Sequence, residues 1–425
     1  MFHRIHSTIF ALLFLAAFVV NTFILHTQSL GGALLILYVG FYGWELGGVI
    51  TQAEKAILRW WLGVWVLLSS VMILLTASYY IWKVTPEVIS MTVLLTPPIL
   101  LWACRKATHL SLFAHAHDLW YSKRHRVPRV VWIVASTIIL LLSVYFLTLA
   151  QNPVTDAVRS VWERLPASVF ILFLLGCALL FGLLTRGKER ALSLLLFCTM
   201  LFAFLSVAAI VFPIGFGFDS FIHKATELHL AEFGTITPKP FYYIGQYVLV
   251  LFLHHGFLIP IDLADTFLVP VLTALLLPAA WFFAAAHITR KRSIAMMSLM
   301  GLFLLPLSSF IVTTPQALAN LWTLLLVLAS VPYLLEKEHP RLRVLAVSAL
   351  ATLLIHPIAG IPGLLYFMFL ATDPSRTNPR TPKTNRIVRA FLIALSCIIL
   401  PLSFVVNALM AHQDLGINLS ALNPL

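Results

Sequence analysis

Asp219, His223 and Lys224 fall within six residues of one polar stretch, Phe218-Asp219-Ser220-Phe221-Ile222-His223-Lys224, which continues to Gly234. A carboxylate can relieve a hydroxyl or amide of its proton, and an imidazole can hold or pass one. An ammonium can meet negative charge that develops during a reaction. Glu227, Lys239, Tyr242, Tyr243 and, far along the chain, His356 add further groups able to contact a polar substrate.

These residues need a helix to hold them. Phe221, Ile222, Ala225 and Leu228 recur at helical spacing on one side, with His223, Lys224 and Glu227 toward the others. Asp219 suits an N-cap or first-turn position, where free N–H groups stabilise a carboxylate. Gly234 is placed to end the helix. Thr237-Pro238-Lys239-Pro240 then forces an extended connection.

The rest of the chain is of another character. Of 425 residues, 60% are hydrophobic and only 10% charged, with mean hydropathy +0.96. A soluble domain carries about 25% charged residues. Apolar runs near the length that crosses a bilayer recur throughout, and backbone in lipid must pair internally, so the runs predict helices. We place them at 7–27, 30–50, 60–82, 88–104, 130–150, 167–185, 191–212, 264–288, 294–312, 317–335, 344–356, 358–371 and 387–410. The expected fold is therefore an all-α polytopic membrane protein with about 13 transmembrane helices. Two regions are expected, 1–190 with six helices and 191–425 carrying the outer loop 213–263.

The net charge of +12 does not signal nucleic acid. Its basic residues lie in short loops between apolar runs, as membrane insertion dictates, and no nucleic-acid motif accompanies them. Basic loops at Arg4, Glu54-Lys55 to Arg59, Arg105 to Arg129, Arg186 to Arg190, Thr289 to Arg292, Glu336 to Arg343 and Asp373 to Arg386 predict a cytoplasmic N-terminus and an outward 213–263 loop, in a plasma (inner) membrane. This scheme holds if Tyr242 to Phe257 lies flat at the interface instead of crossing. The four cysteines lack metal-ligand spacing. His109, His115, His117 and His125 crowd one basic loop in no standard zinc pattern.

An outward loop reading Asp-x-x-x-His (Asp219, His223), then a helix to Gly234, then Pro238, Pro240 and Tyr242-Tyr243, resembles the first external loop of GT-C glycosyltransferases. These include oligosaccharyltransferase catalytic subunits, protein O-mannosyltransferases and aminoarabinose transferases. The later order also resembles the family: a basic turn at Thr289 to Ser293, an outer Thr313-Thr314-Pro315-Gln316, and short paired segments around His356-Pro357. The similarity covers roughly residues 191–410. It implies a GT-C-like core that takes a sugar from a polyprenyl-phosphate donor and passes it to an acceptor outside. It further implies that Asp219 acts on the acceptor as base or metal ligand, with His223 matching the loop histidine. Lys224 would meet donor phosphate, and a divalent cation is a candidate cofactor. Membrane lipid is the remaining partner.

The sequence departs from the family pattern in two respects. Ser220 follows Asp219 where many members pair acids, so a second carboxylate would come from Glu227, Glu232, Asp262 or Asp265. Six spans, not one, precede the similar part. Two other classes fit the composition: a transporter or lipid flippase, and a non-catalytic assembly subunit. A cleft at the 213–263 loop favours the enzyme; a central cavity lined from both halves favours transport.

Overall fold

The computed structural model describes residues 2–50, 56–106, 127–186, 190–217, 219–240, 242–335, 342–372 and 382–410. The histidine-rich basic loop lies outside them. The regular elements among these residues are all helical. The first seven helices are α1 (Phe2–Val20), α2 (Gln28–Ile50), α3 (Ala56–Ile81), α4 (Pro86–Lys106), α5 (Arg129–Ala150), α6 (Ala167–Arg186) and α7 (Arg190–Leu205). The short α8 (Val207–Val211) leads to α9 (Asp219–Phe233), α10 (Ile244–Phe257) and α11 (Ile261–Thr289). The chain continues through α12 (Arg292–Ser298), α13 (Pro315–Leu335), α14 (Leu342–Ile355), α15 (Pro357–Ala371) and α16 (Pro382–Met410).

Seven of these helices, α2 to α6, α11 and α13, are long and apolar enough to cross a membrane. Their outward faces carry large apolar side chains: Ile36, Leu140, Leu147 and Leu174 are each well exposed. Such a belt is unfavourable in water and ordinary against lipid. This is an integral membrane protein.

The bundle is knit by close backbone approach. Gly43 and Gly47 on α2 face Gly63 on α3. A Cβ on Gly63 would lie 1.8 Å from the carbonyl oxygen of Gly43. In lipid, where burial of apolar surface gains little, small residues spaced by four let helices pack backbone to backbone. Deeper in, Trp322 of α13 donates to the Ser69 hydroxyl of α3 at 2.9 Å, and Ser69 donates to the Trp65 carbonyl at 2.7 Å. The apolar core is continuous from Phe14 to Leu370 and crosses the expected boundary at residue 190 without a break.

Two expectations require correction. The run 294–312 is not one continuous α-helix: α12 passes into 3₁₀ turns at Leu299–Leu304, and Leu305 is extended before Pro306. Proline lacks the N–H and disfavours helix in the residue before it. The segment Tyr242 to Phe257 does not lie flat with one face toward solvent. Residues 244–252 of α10 are all buried, against α2, α3, α4, α11 and α14. A helix apolar on every side gains most when covered on every side. At about 1.5 Å per residue it is also short of a bilayer's hydrocarbon thickness.

Candidate functional site

Helix α9 starts at Asp219 and is ended by Gly234, which has φ +71° and donates its N–H to the Leu230 carbonyl at 2.8 Å. The bounds are those expected from the sequence. Gly234 also accepts from Val84 N–H at 2.9 Å, which docks the end of α9 onto the α3–α4 connection. Across the middle of α9 lie the first turns of α10 and α11.

Asp219 and His223, four residues apart, share the face of α9 turned toward α10. Asp219 is exposed, and its charge acts on both His223 and Tyr243. His223 Nδ1 and the Tyr247 hydroxyl are 2.8 Å apart. The His223 ring stands edge-on to Tyr243 with centroids 5.4 Å apart, and Tyr243 lies 5.0 Å from the ring of His356. Tyr242 packs on Tyr243 at 4.7 Å. Burial pushes the His223 imidazole below its usual value, partly offset by the negative charge of Asp219. The ring is therefore neutral at neutral pH.

Tyr243 holds a left-handed backbone, φ +71°, at the start of α10. For a bulky residue this conformation costs energy and persists only where surroundings enforce it. Gly245 supplies the fit beneath: a Cβ there would lie 2.8 Å from the Ile355 backbone nitrogen. His356 accepts from Ala359 N–H at 3.2 Å, capping α15 with its ring beside Tyr243.

The next face of α9 holds Glu227, which is fully buried. Gln246 Nε2 donates to its Oε1 at 3.2 Å. Asp265 of α11, 4% exposed, comes within hydrogen-bonding reach of Glu227. Burial, and then the charge of Asp265, hold the Glu227 carboxyl well above the usual carboxylate range.

The third face borders a cleft of about 130 Å³. Ser220, Lys224 and Asp265 supply polar groups, and Phe212, Phe216 and Phe221 supply an aromatic wall. Asp219 does not line this cleft; its neighbour Ser220 does. Lys224 forms an ion pair with Asp262 of α11.

Lys239 stands apart from these groups. Its ammonium donates to the carbonyls of Tyr79 (2.7 Å), Tyr80 (3.1 Å) and Trp82 (2.9 Å), closing the C-terminal end of α3. With all three N–H groups engaged, it is a helix cap, and a phosphate would have to displace carbonyls to reach it.

Sequence reasoning missed Tyr247 and Gln246. Both sit in a run that reads as uniformly apolar, and the signal was there: a lone amide inside such a run needs a buried partner. Among the described residues, no three His, Cys, Asp or Glu side chains converge as a metal-binding group.

Comparisons with family models, curated proteins and solved structures find no match to this chain. The site stands on its own chemistry.

Proposed function

We propose that this protein is an integral membrane glycosyltransferase, GT-C-like in its outer loop, that moves a sugar from a polyprenyl-phosphate donor to an acceptor on the outer face. The observation that carries the reading is the cleft beside α9, whose lining combines a cation and a hydroxyl with three aromatic side chains. A lipid-linked phosphate has those two characters. In this reading the phosphate meets Lys224 and Ser220, and the first isoprene units lie against Phe212, Phe216 and Phe221. The acceptor approaches the exposed start of α9, where Asp219 takes its proton as the new glycosidic bond forms and the sugar–phosphate bond breaks, the departing polyprenyl phosphate keeping its negative charge beside Lys224. His223 stays neutral beside Asp219 and orients the acceptor, with Tyr242, Tyr243 and His356 forming the wall behind it.

The about 13 spans, the cytoplasmic N-terminus and the plasma-membrane location belong to the same reading. The cleft is lined by residues 208–209, 212–216, 220–221, 224, 265–266 and 311–313, close to the outer loop, and this favours the enzyme over a carrier with a central cavity. Asp219→Asn tests the proposal, since it keeps size and capping ability but removes the charge. Transfer from a polyprenyl-phosphate sugar pool in membranes should fall at least ~100-fold, the scale of general-base contributions. Full transfer by the variant would remove Asp219 from the mechanism.

A further inference from the structure

We propose that Glu227 and Asp265 form a proton-binding pair, holding one proton between them and exchanging it with the cleft through Asp265. This does not depend on which reaction the cleft serves.

The argument starts from donors. Glu227 Oε2 and Asp265 Oδ1 are buried and find no hydrogen-bond donor among the described residues. Gln246 gives one N–H, to the other oxygen of Glu227, and its own Oε1 is buried without a partner. Two ionised carboxylates at hydrogen-bonding reach repel, and burial makes the second charge still less favourable. One proton between them removes the repulsion and supplies the missing donor. A carboxyl pair of this kind titrates as a unit.

The surrounding groups agree. From α9, Lys224 acts favourably on both carboxylates, but it is already paired with Asp262. His223 and Thr226 of α9 turn toward Tyr247. From α10 come Gln246 and Tyr247, on which the charge of Glu227 acts. From α11, Asp262 adds negative charge near Asp265. The balance leaves one net charge on the pair. Exchange runs through Asp265 because it lines the cleft, whereas Glu227 is sealed.

Infrared difference spectroscopy on the full chain in nanodiscs, in H2O and D2O, tests this. At neutral pH the wild type should show one protonated-carboxyl band that shifts promptly in D2O. Glu227→Gln keeps the shape and the amide contact, leaves Asp265 to ionise against Lys224, and should lose the band. The double variant Glu227→Gln/Asp265→Asn should lack it as well. A thermal unfolding transition confirms that each variant is folded, and if the double variant fails, Glu227→Gln carries the test. No protonated carboxyl at neutral pH, or a band that persists in Glu227→Gln, would overturn the shared proton. A band that does not exchange in D2O would overturn the link to the cleft. So would a band that appears only when sodium or magnesium is stripped away, because a cation would then be the natural occupant.

Discussion

The His223 imidazole and the Tyr247 hydroxyl, 2.8 Å apart, form one of the direct side-chain ties between α9 and the buried helix α10. His223 brings its proton chemistry from a polar loop, and Tyr247 is 3% exposed in the bundle. The contact fixes the register of α9 over α10, and it has a proton-dependent form.

That form gives a pH prediction. The folded-state value of His223 lies below its unfolded value of about 6.5. The neutral ring's contribution is therefore fully present above that unfolded value and is lost as pH falls through the folded value. Thermal stability should decline on the acid side. His223→Gln, which can still bond Tyr247 but does not titrate there, should flatten that limb. Equal acid-side loss in both proteins would assign the effect to another group.

Lys239→Met should lower stability by about 1–2 kcal/mol, the scale of a charged cap on a helix C-terminus with its hydrogen bonds. Transfer per folded molecule should be unchanged, because the ammonium faces α3 carbonyls. A selective rise in KM for the lipid donor, with unchanged melting, would restore Lys239 to the substrate site.

Breaking the Lys224–Asp262 pair separates two roles of Lys224. Asp262→Asn should change stability by no more than about 1 kcal/mol, because the pair is partly solvated. Lys224→Met should leave melting similarly intact yet weaken the lipid-phosphate donor. Steady-state kinetics against donor concentration distinguishes the two variants, and identical kinetics would place the phosphate elsewhere.

The α2–α3 contact makes a packing prediction with its own control. Gly63→Ala drives a methyl into the Gly43 carbonyl and should cost about 1–3 kcal/mol, as overpacking does. Gly48→Ala, on the same α2 helix with open space around it, should be neutral or slightly stabilising, since alanine is the better helix former. Thermal unfolding in detergent decides, and equal effects would mean that the two helices are not in contact as described.

Orientation is testable by labelling. With Cys104, Cys177, Cys198 and Cys397 replaced, a cysteine at Thr237 should react with an impermeant reagent from outside, and one at Lys291 should not. The reverse result would invert the loop assignment.

Much of α9 was legible because its signals are local. An acid starts it, a glycine ends it, and polar residues mark its faces. The carboxyl pair was half legible: Glu227 and Asp265 are each visible as candidate acids, but they are 38 positions apart in sequence, and only the meeting of α9 with α11 brings them together. The placement of α10 was not legible from periodicity. Its residues are apolar in every direction, so nothing in the pattern separates a helix lying on a membrane from one enclosed by its neighbours. The break after Leu304 was announced by Pro306, yet the apolar run around it reads as a span because hydropathy does not register a missing N–H.

The cap that Lys239 places on α3 reaches beyond stability. It joins the connection between α9 and α10 to a helix that precedes it by some 160 residues, and the Val84–Gly234 bond adds a second rivet from the same side. The roof of the cleft is thus moored to the opening third of the chain. A fragment beginning at residue 191 would carry every acid and base of the site but none of that mooring. It would also bare the flanks of α10 that α2, α3 and α4 now cover. The chemical groups and the frame that aims them are inherited from opposite ends of one polypeptide, and neither end is a module that could be exchanged alone.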